Sequence, residues 1–389
     1  MPKSAEIVQL TVAQRFRTLT PSATVEMSER VRDARASGRD IIALSSGDPN
    51  LPTDPRIIEA AERALRGGAT HYSSSSGEPK LRESIARREL VRSGVRYDPD
   101  DIIVTPGGKF ALLTALMGVI EPGDEVVVPQ PGWVSYGPCI RLAGGIPVPV
   151  AMRDAFYVEA IRNAVTPMTR AIIVNSPVNP TGRVVSQAEM CALVSLAEEH
   201  NLWIVFDQVY ADMSYNGPVS FPQAIANAFE RTLVVDSLSK SYGMTGWRLG
   251  YLAMPPGLAK YVVKFIQHSI YCVPPFIQAA GVRALELSDE LLPRYCEMFR
   301  ARVARATEGL QGVEGLRCAM PSAGFFLFPQ VDGDEVAIAR RWLDVLNIAV
   351  LPGTAFGNAG AGHLRLSLSC SDNELDVALD RISSAGVNC

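Results

Sequence analysis

Four blocks of this 389-residue chain hold residue types that can do covalent and acid–base chemistry. Lys240 ends Ser237-Leu238-Ser239-Lys240 and is followed by Gly243-Met244-Thr245-Gly246-Trp247-Arg248. Asp207 stands three residues before Tyr210. Asn179 lies inside NSPVNPTG, which starts at Asn175, and Pro106-Gly107-Gly108-Lys109 precedes a helical pattern. A lysine amine can attack a carbonyl carbon and can carry a proton as base and acid. A carboxylate beside a ring nitrogen favours the protonated ring. Glycines at a helix N-terminus let backbone N–H groups approach a phosphate, which the helix dipole also favours. Taken singly, each block has a plainer reading. A glycine turn before a helix is usually structural, a strand-end aspartate usually caps a helix, and a lone lysine is usually a solvated charge.

Their positions make the set informative. Seven short, β-branched apolar runs read as buried strands: residues 101–105, 125–129, 146–150, 171–175, 203–207, 232–236 and 250–254. Residues 110–120 and 187–200 read as amphipathic helices between them. The alternation predicts a mostly parallel α/β sheet with helices on both faces. Ligands of such sheets bind at the strands' carboxyl ends, and all four blocks sit there. Residues 51–285 therefore read as a large domain. Residues 286–389 read as a smaller α+β domain, with a long helix at 286–310 and strands at 324–329 and 363–368. Residues 1–50 read as an arm that joins the smaller domain, where PSATVEMSERVRDA looks like a cap followed by a helix.

Pyridoxal 5′-phosphate requires this set: a lysine for its Schiff base, an acid at its pyridinium nitrogen and a phosphate cradle. NSPVNPTG, FDQVY and SLSKSYGMTGWRLGY also resemble the signature blocks of fold-type I, class I/II aminotransferases. The likeness is greatest to the bacterial aspartate aminotransferase branch, and it runs from PSATV at 21 to HLRLS at 363. The resemblance implies that Lys240 holds the cofactor, that Asp207 faces the ring nitrogen, and that Tyr210 and Asn179 bond the ring 3′-oxygen. It puts Trp133 on the ring face, and Gly107, Gly108, Lys109, Ser237, Ser239 and Arg248 around the phosphate, with Tyr72 reaching in from a partner subunit. Arg365 would grip the substrate α-carboxylate, helped by Asn179 and the Gly47 backbone. Lys109, with Ser22 and Thr24, would meet a distal carboxylate. The resemblance thus implies a homodimer with shared sites, acting on amino acids and 2-oxo acids, with aspartate or glutamate as donor.

The chain departs from that pattern in three places. Gln208 stands where the family commonly has an acid; the position normally makes no direct contact, so little effect is expected. Residues 267–278, QHSIYCVPPFIQ, are more apolar than their Ser/Thr-rich counterparts and are expected near the substrate entrance and the dimer partner. No arginine matches the distal-carboxylate clamp of the eukaryote-like branch. Lys109 could therefore serve the phosphate or the surface alone, with the apolar stretch selecting an aromatic or aliphatic substrate. The same fold also carries cysteine–sulfur β-lyases, natural-product oxidases and cyclases, and cofactor-binding regulators, although a regulator needs an extra DNA-binding domain that this chain has no room for.

The bulk properties set limits on these readings. With 47% hydrophobic residues, 20% charged residues and a net charge of −4, the chain is an ordinary globular protein without the basic surface that nucleic acid demands. Its seven cysteines form no CxxC pair, and its four histidines match no metal spacing, so free thiols and no metal are expected. MPKSAEIVQL lacks the apolar core of a signal peptide, and no run approaches the ~20 apolar residues of a membrane span, so a cytoplasmic enzyme is expected.

Overall fold

The computed structural model describes residues 12–152 and 157–387, so the N-terminal MPKSAEIVQL and Cys389 lie outside it. All seven expected strands form one sheet: β1 (Ile102–Thr105), β2 (Glu125–Gln130), β3 (Ile146–Ala151), β4 (Thr169–Asn175), β5 (Trp203–Asp207), β6 (Thr232–Ser237) and β7 (Gly250–Ala253). Their order is β1-β7-β6-β5-β4-β2-β3. Only β7 runs antiparallel to its neighbours. Side chains alternate between two cores. Ile103, Val205, Val235 and Leu252 enter one, while Val104, Val234 and Tyr251 enter another that also holds Leu81 and Ile85. With both faces covered, each such side chain contributes about 1.5–3 kcal/mol by leaving water.

One strand differs from its expected setting. Residues 146–150 read as buried, but β3 is the sheet edge and is largely exposed. Pro147 and Pro149 explain this, because proline lacks the N–H that an inner strand must donate to a second neighbour.

The helices that matter to the site are α1 (Ala23–Ala36), α2 (Pro79–Ser93), α3 (Gly108–Val119), α4 (Tyr136–Leu142), α5 (Gln187–Glu199) and α6 (Leu238–Ser241). Ser186 and Glu189 form a capping box that starts α5. Ser22 takes the α1 cap position without a side-chain bond to a backbone N–H of the helix; its hydroxyl meets that of Thr24 at 2.8 Å instead.

The long helix expected at 286–310 runs from Ser288 to Gly309. The strand expected at 324–329 shrinks to Phe326–Leu327, which pairs antiparallel with Leu364–Ser367. These elements surround a separate core of Val303, Trp342, Leu364 and Leu366, which also takes in Ile42 and Leu44 from the other end of the chain. The strand Ile42–Ala43 lies parallel to Ile348–Ala349. Among the described residues no helix is long and apolar enough to cross a membrane.

The ends of the strands meet at one line. Gly250 pairs with both Thr105 and Ser237, while Asn175 lies opposite Asp207. A Cβ on Gly250 would sit 2.6 Å from the Gly107 carbonyl carbon, 2.7 Å from the Gly108 nitrogen and 2.8 Å from the Asp236 oxygen. All three are backbone atoms, so the strands themselves would have to part. Gly250→Ala should therefore cost about 1–3 kcal/mol, read as a lower urea midpoint at unchanged slope, whereas an unchanged midpoint would show that this approach is not needed.

Candidate active site

A cavity of about 310 Å³ opens where the strands end. Lys240, in α6 directly after β6, points its amine into it and donates to the Gly47 carbonyl at 2.8 Å. Burial pushes the Lys240 ammonium down to about 8; Asp48 opposes the shift, and the cations Arg248, Arg365 and Lys109 add to it.

Asp207, at the end of β5, is 5% exposed. Tyr136 donates its hydroxyl to Oδ2 at 2.7 Å, and the Val209 N–H donates to Oδ1 at 3.2 Å. Burial raises its carboxyl to about 6 against these two bonds. Among the described residues no lysine or arginine forms an ion pair with it. A buried carboxylate served only by a phenol and an amide is suited to a cation that arrives with a ligand.

Arg365, in Leu364–Ser367, is 1% exposed. Its guanidinium lies between the rings of Phe326 and Phe356, 4.6 and 4.9 Å from their centroids. It donates to the Ser45 carbonyl, and to Asn179 Oδ1 at 3.4 Å. Burial lowers it to about 10, so it remains charged at neutral pH. Asn179 also faces the Tyr210 hydroxyl at 3.5 Å, and burial raises that phenol well above its ordinary value.

Gly107 has a φ of 88°, and a Cβ there would strike the Arg248 guanidinium at 2.4 Å. Arg248 is itself left-handed, at φ 53°, and its guanidinium donates to the carbonyls of Thr245 and Pro106. Gly108 opens α3 beside Ser237, whose hydroxyl lies 2.8 Å from that of Ser239 and 3.0 Å from the Leu249 carbonyl. Lys109 extends over the Trp133 ring, 5.4 Å from its centroid.

Most of the residues assigned from sequence thus line this cavity: Lys240, Asp207, Tyr210, Asn179, Trp133 and Arg365, then Gly47, Gly108, Lys109, Ser237, Ser239 and Arg248. Gly107 stands behind Arg248, and Thr24 lines the cavity while Ser22 backs it. Tyr72 does not reach the cavity of its own chain; it is 84% exposed and packs on Tyr271, 4.6 Å between centroids. None of residues 267–278 lines it either. Among the described residues, no group of three His, Cys, Asp or Glu side chains could hold a metal.

Sequence reasoning missed Tyr136 and Asn175. Tyr136 lies three residues after Trp133, one helical turn on, which was its only local signal. Asn175 ends β4, accepts the Asn179 N–H at 2.9 Å and donates to the Asp207 backbone carbonyl at 2.9 Å.

The sheet order, the strand-end lysine and the buried acid together define a fold-type I aminotransferase. The profile "Aminotransferase class I and II" matches residues 39–382, and the chain belongs to that family. It is 37% identical to the aspartate/prephenate aminotransferase of Thermus thermophilus, covering 96% of this chain and 98% of that one. It is 34% identical to the aspartate aminotransferase of Bacillus subtilis, over 95% and 98% of the two chains. The solved aspartate aminotransferase from Thermus thermophilus with maleate superposes with a TM-score of 0.92 at 36% identity, over 96% and 99% of the chains.

Because a neutral amine is the reactive form, Lys240 should gain reactivity as pH rises through about 8. Mass-spectrometric mapping of acylation in the cofactor-free protein should give that midpoint for the Lys240 peptide. A midpoint above about 10, the ordinary lysine value, would remove the argument from burial.

Proposed function

We propose that the cavity binds pyridoxal 5′-phosphate and transfers an amino group between an acidic amino acid and a 2-oxo acid. The observation that carries this reading is Asp207: a buried carboxylate with no cation paired to it among the described residues, in the same cavity as a desolvated lysine and a buried arginine. The residues fit the cofactor. Asp207 would hold its ring nitrogen protonated, Lys240 would hold it covalently, and Tyr210 with Asn179 would face its 3′-oxygen. Trp133 would cover the ring, and Gly108, Ser237, Ser239 and Arg248 would take the phosphate at the start of α3. When bound, the cofactor supplies an electron sink for the pair left at the substrate α-carbon.

The chain's own residues do the rest. Arg365 holds the α-carboxylate with its fork, and the two aromatic rings fix the plane of that fork. Lys240 Nζ takes the proton from the α-carbon and returns it, a task suited to an amine brought near neutral pH. The Asp207 carboxylate keeps its charge once a cation lies against it, because the opposite charge favours ionisation. Tyr72, exposed in one chain, would complete the site of a second copy, which makes the enzyme a homodimer with shared sites.

The donor side chain is assigned to Lys109. Its ammonium is a point charge on a flexible stem, able to meet a second carboxylate beside Thr24. Aspartate or glutamate is then the donor, with 2-oxoglutarate a fitting acceptor. The similarity to the aspartate and aspartate/prephenate aminotransferases supports this reading.

Adding glutamate or aspartate to the loaded wild type should convert the aldehyde cofactor to its amine form, read as a shift in visible absorbance. Lys240→Ala should fold but lose turnover, and borohydride should fix the cofactor to Lys240. Release of pyruvate and ammonia without that shift would indicate a lyase, and an adduct on another lysine would refute the site. Lys109→Ala should weaken acidic donors selectively, by about tenfold for a lost charge-assisted contact of roughly 1.5 kcal/mol. Equal loss for all donors would assign Lys109 to the phosphate alone.

A further inference from the structure

Four polar side chains stand next to the site residues in sequence, and the reaction as proposed does not use them. Gln208 follows Asp207, Asp212 lies two residues after Tyr210, Asp236 precedes Ser237, and Ser241 follows Lys240. None lines the cavity. Instead, Gln208, Asp212 and Asp236 converge on the Arg-Glu-x-x-Arg turn of α2, which is far away in sequence, and Ser241 joins them through Asp212. Arg92 Nη2 donates to both oxygens of Asp212 at 2.8 and 2.9 Å, and its Nη1 donates to Asp236 at 2.6 Å. Arg88 also donates to Asp212, and the Ser241 hydroxyl donates to it at 2.6 Å. Gln208 Nε2 donates to Glu89 at 2.7 Å.

The proton count in this cluster is constrained. The Tyr251 hydroxyl lies 2.6 Å from Glu89 and 2.8 Å from Asp236, yet it has one proton to give. It can divide that proton between the two carboxyls or accept one from a protonated carboxyl. Glu89 is 0% exposed, and burial pushes its carboxyl upward while Arg92 and the Tyr251 hydrogen bond oppose the shift. The cluster sets the guanidinium groups of Arg88 and Arg92 against Asp212, Asp236 and Glu89, the last 3.7 Å from Arg92 Nη1, with Gln208 as a neutral neighbour. Ion pairs buried to this depth stabilise a fold little more than well-packed apolar residues of the same volume. What a fork with fixed hydrogen bonds does add is geometry.

We infer that Arg92 is a positioning residue for the reaction. Through Asp212 and Asp236 it locks together the two chain segments that bear Asp207 with Tyr210 and Ser237 with Lys240, without touching cofactor or substrate. The inference rests on the roles proposed for Lys240 and Asp207. A displacement of about 1 Å between such groups can slow a reaction by as much as 10²-fold.

Arg92→Lys keeps one charge but loses the fork that spans both carboxylates. Its loaded sites should turn over about tenfold more slowly, a barrier rise of roughly 1.4 kcal/mol, with KM for the amino donor within about twofold of wild type. The visible circular dichroism of the bound cofactor should weaken, since that signal reports how the ring is held. Ser241→Ala deletes a single hydrogen bond and should shift kcat and the dichroism in the same direction by a smaller factor. A lower melting temperature with kcat per loaded site and dichroism unchanged in both variants would overturn the inference and leave the cluster as a stabiliser only. Should Arg92→Lys fail to fold, Ser241→Ala decides by the same two readouts. A wild type that takes up no cofactor fails the functional reading itself, and that failure is seen before any variant is made.

Discussion

An acid held out of water, with no cation paired to it among the described residues, is the constraint around which this molecule is arranged. Leaving a carboxylate in such a place is costly unless its hydrogen-bonding capacity is met. At Asp207 the phenol of Tyr136 and the amide of Val209 meet part of it. Tyr136 is in place only because α4 follows β2 at that end of the sheet, and Val209 only because β5 ends two residues earlier. Asn175, across from Asp207 on β4, bonds the Asp207 carbonyl and so fixes where the side chain starts. The remaining demand suits a ligand that brings a positive ring.

The positive groups obey the same logic at longer range. Arg365, Arg248, Lys240 and Lys109 share one small cavity, and the other three lower the tendency of Lys240 to hold a proton. Such an assembly of like charges is tolerable because its members are anchored separately: Arg365 by two aromatic rings and a carbonyl, Arg248 by two carbonyls, Lys240 by Gly47. Anions entering the cavity relieve the repulsion, so binding and desolvation favour the same ligands.

Much of this was legible in the chain because strand interiors and strand ends leave separate marks. Runs such as LWIVF and TLVVD pointed to the sheet, and the residues directly after each run pointed to most of the site. The exception was residues 146–150, where two prolines should have outweighed the apolar character. Less legible were contacts between residues distant in sequence. Nothing near residue 92 marks Arg92 as the partner of Asp212 and Asp236, since on a helix an arginine reads as a solvated charge. Gln208 illustrates the same limit: its lack of a place in the cavity was expected, and its buried bond to Glu89 was not. Tyr72 carries a trace of its setting in its exposure, but sequence pattern alone does not say what an exposed aromatic ring meets.

The pairing of Ile42–Ala43 with Ile348–Ala349 bears on how the enzyme is made. Ser45 and Gly47, whose carbonyls receive Arg365 and Lys240, come directly after the first of these strands. On the ribosome, the sheet from β1 to β7 is complete about a hundred residues before the second strand emerges. The wall formed by residues 45–47 must wait for it. A nascent chain therefore has its lysine and its acid in place while the cavity still lacks one side, and the site closes only once residues 348–349 have joined it.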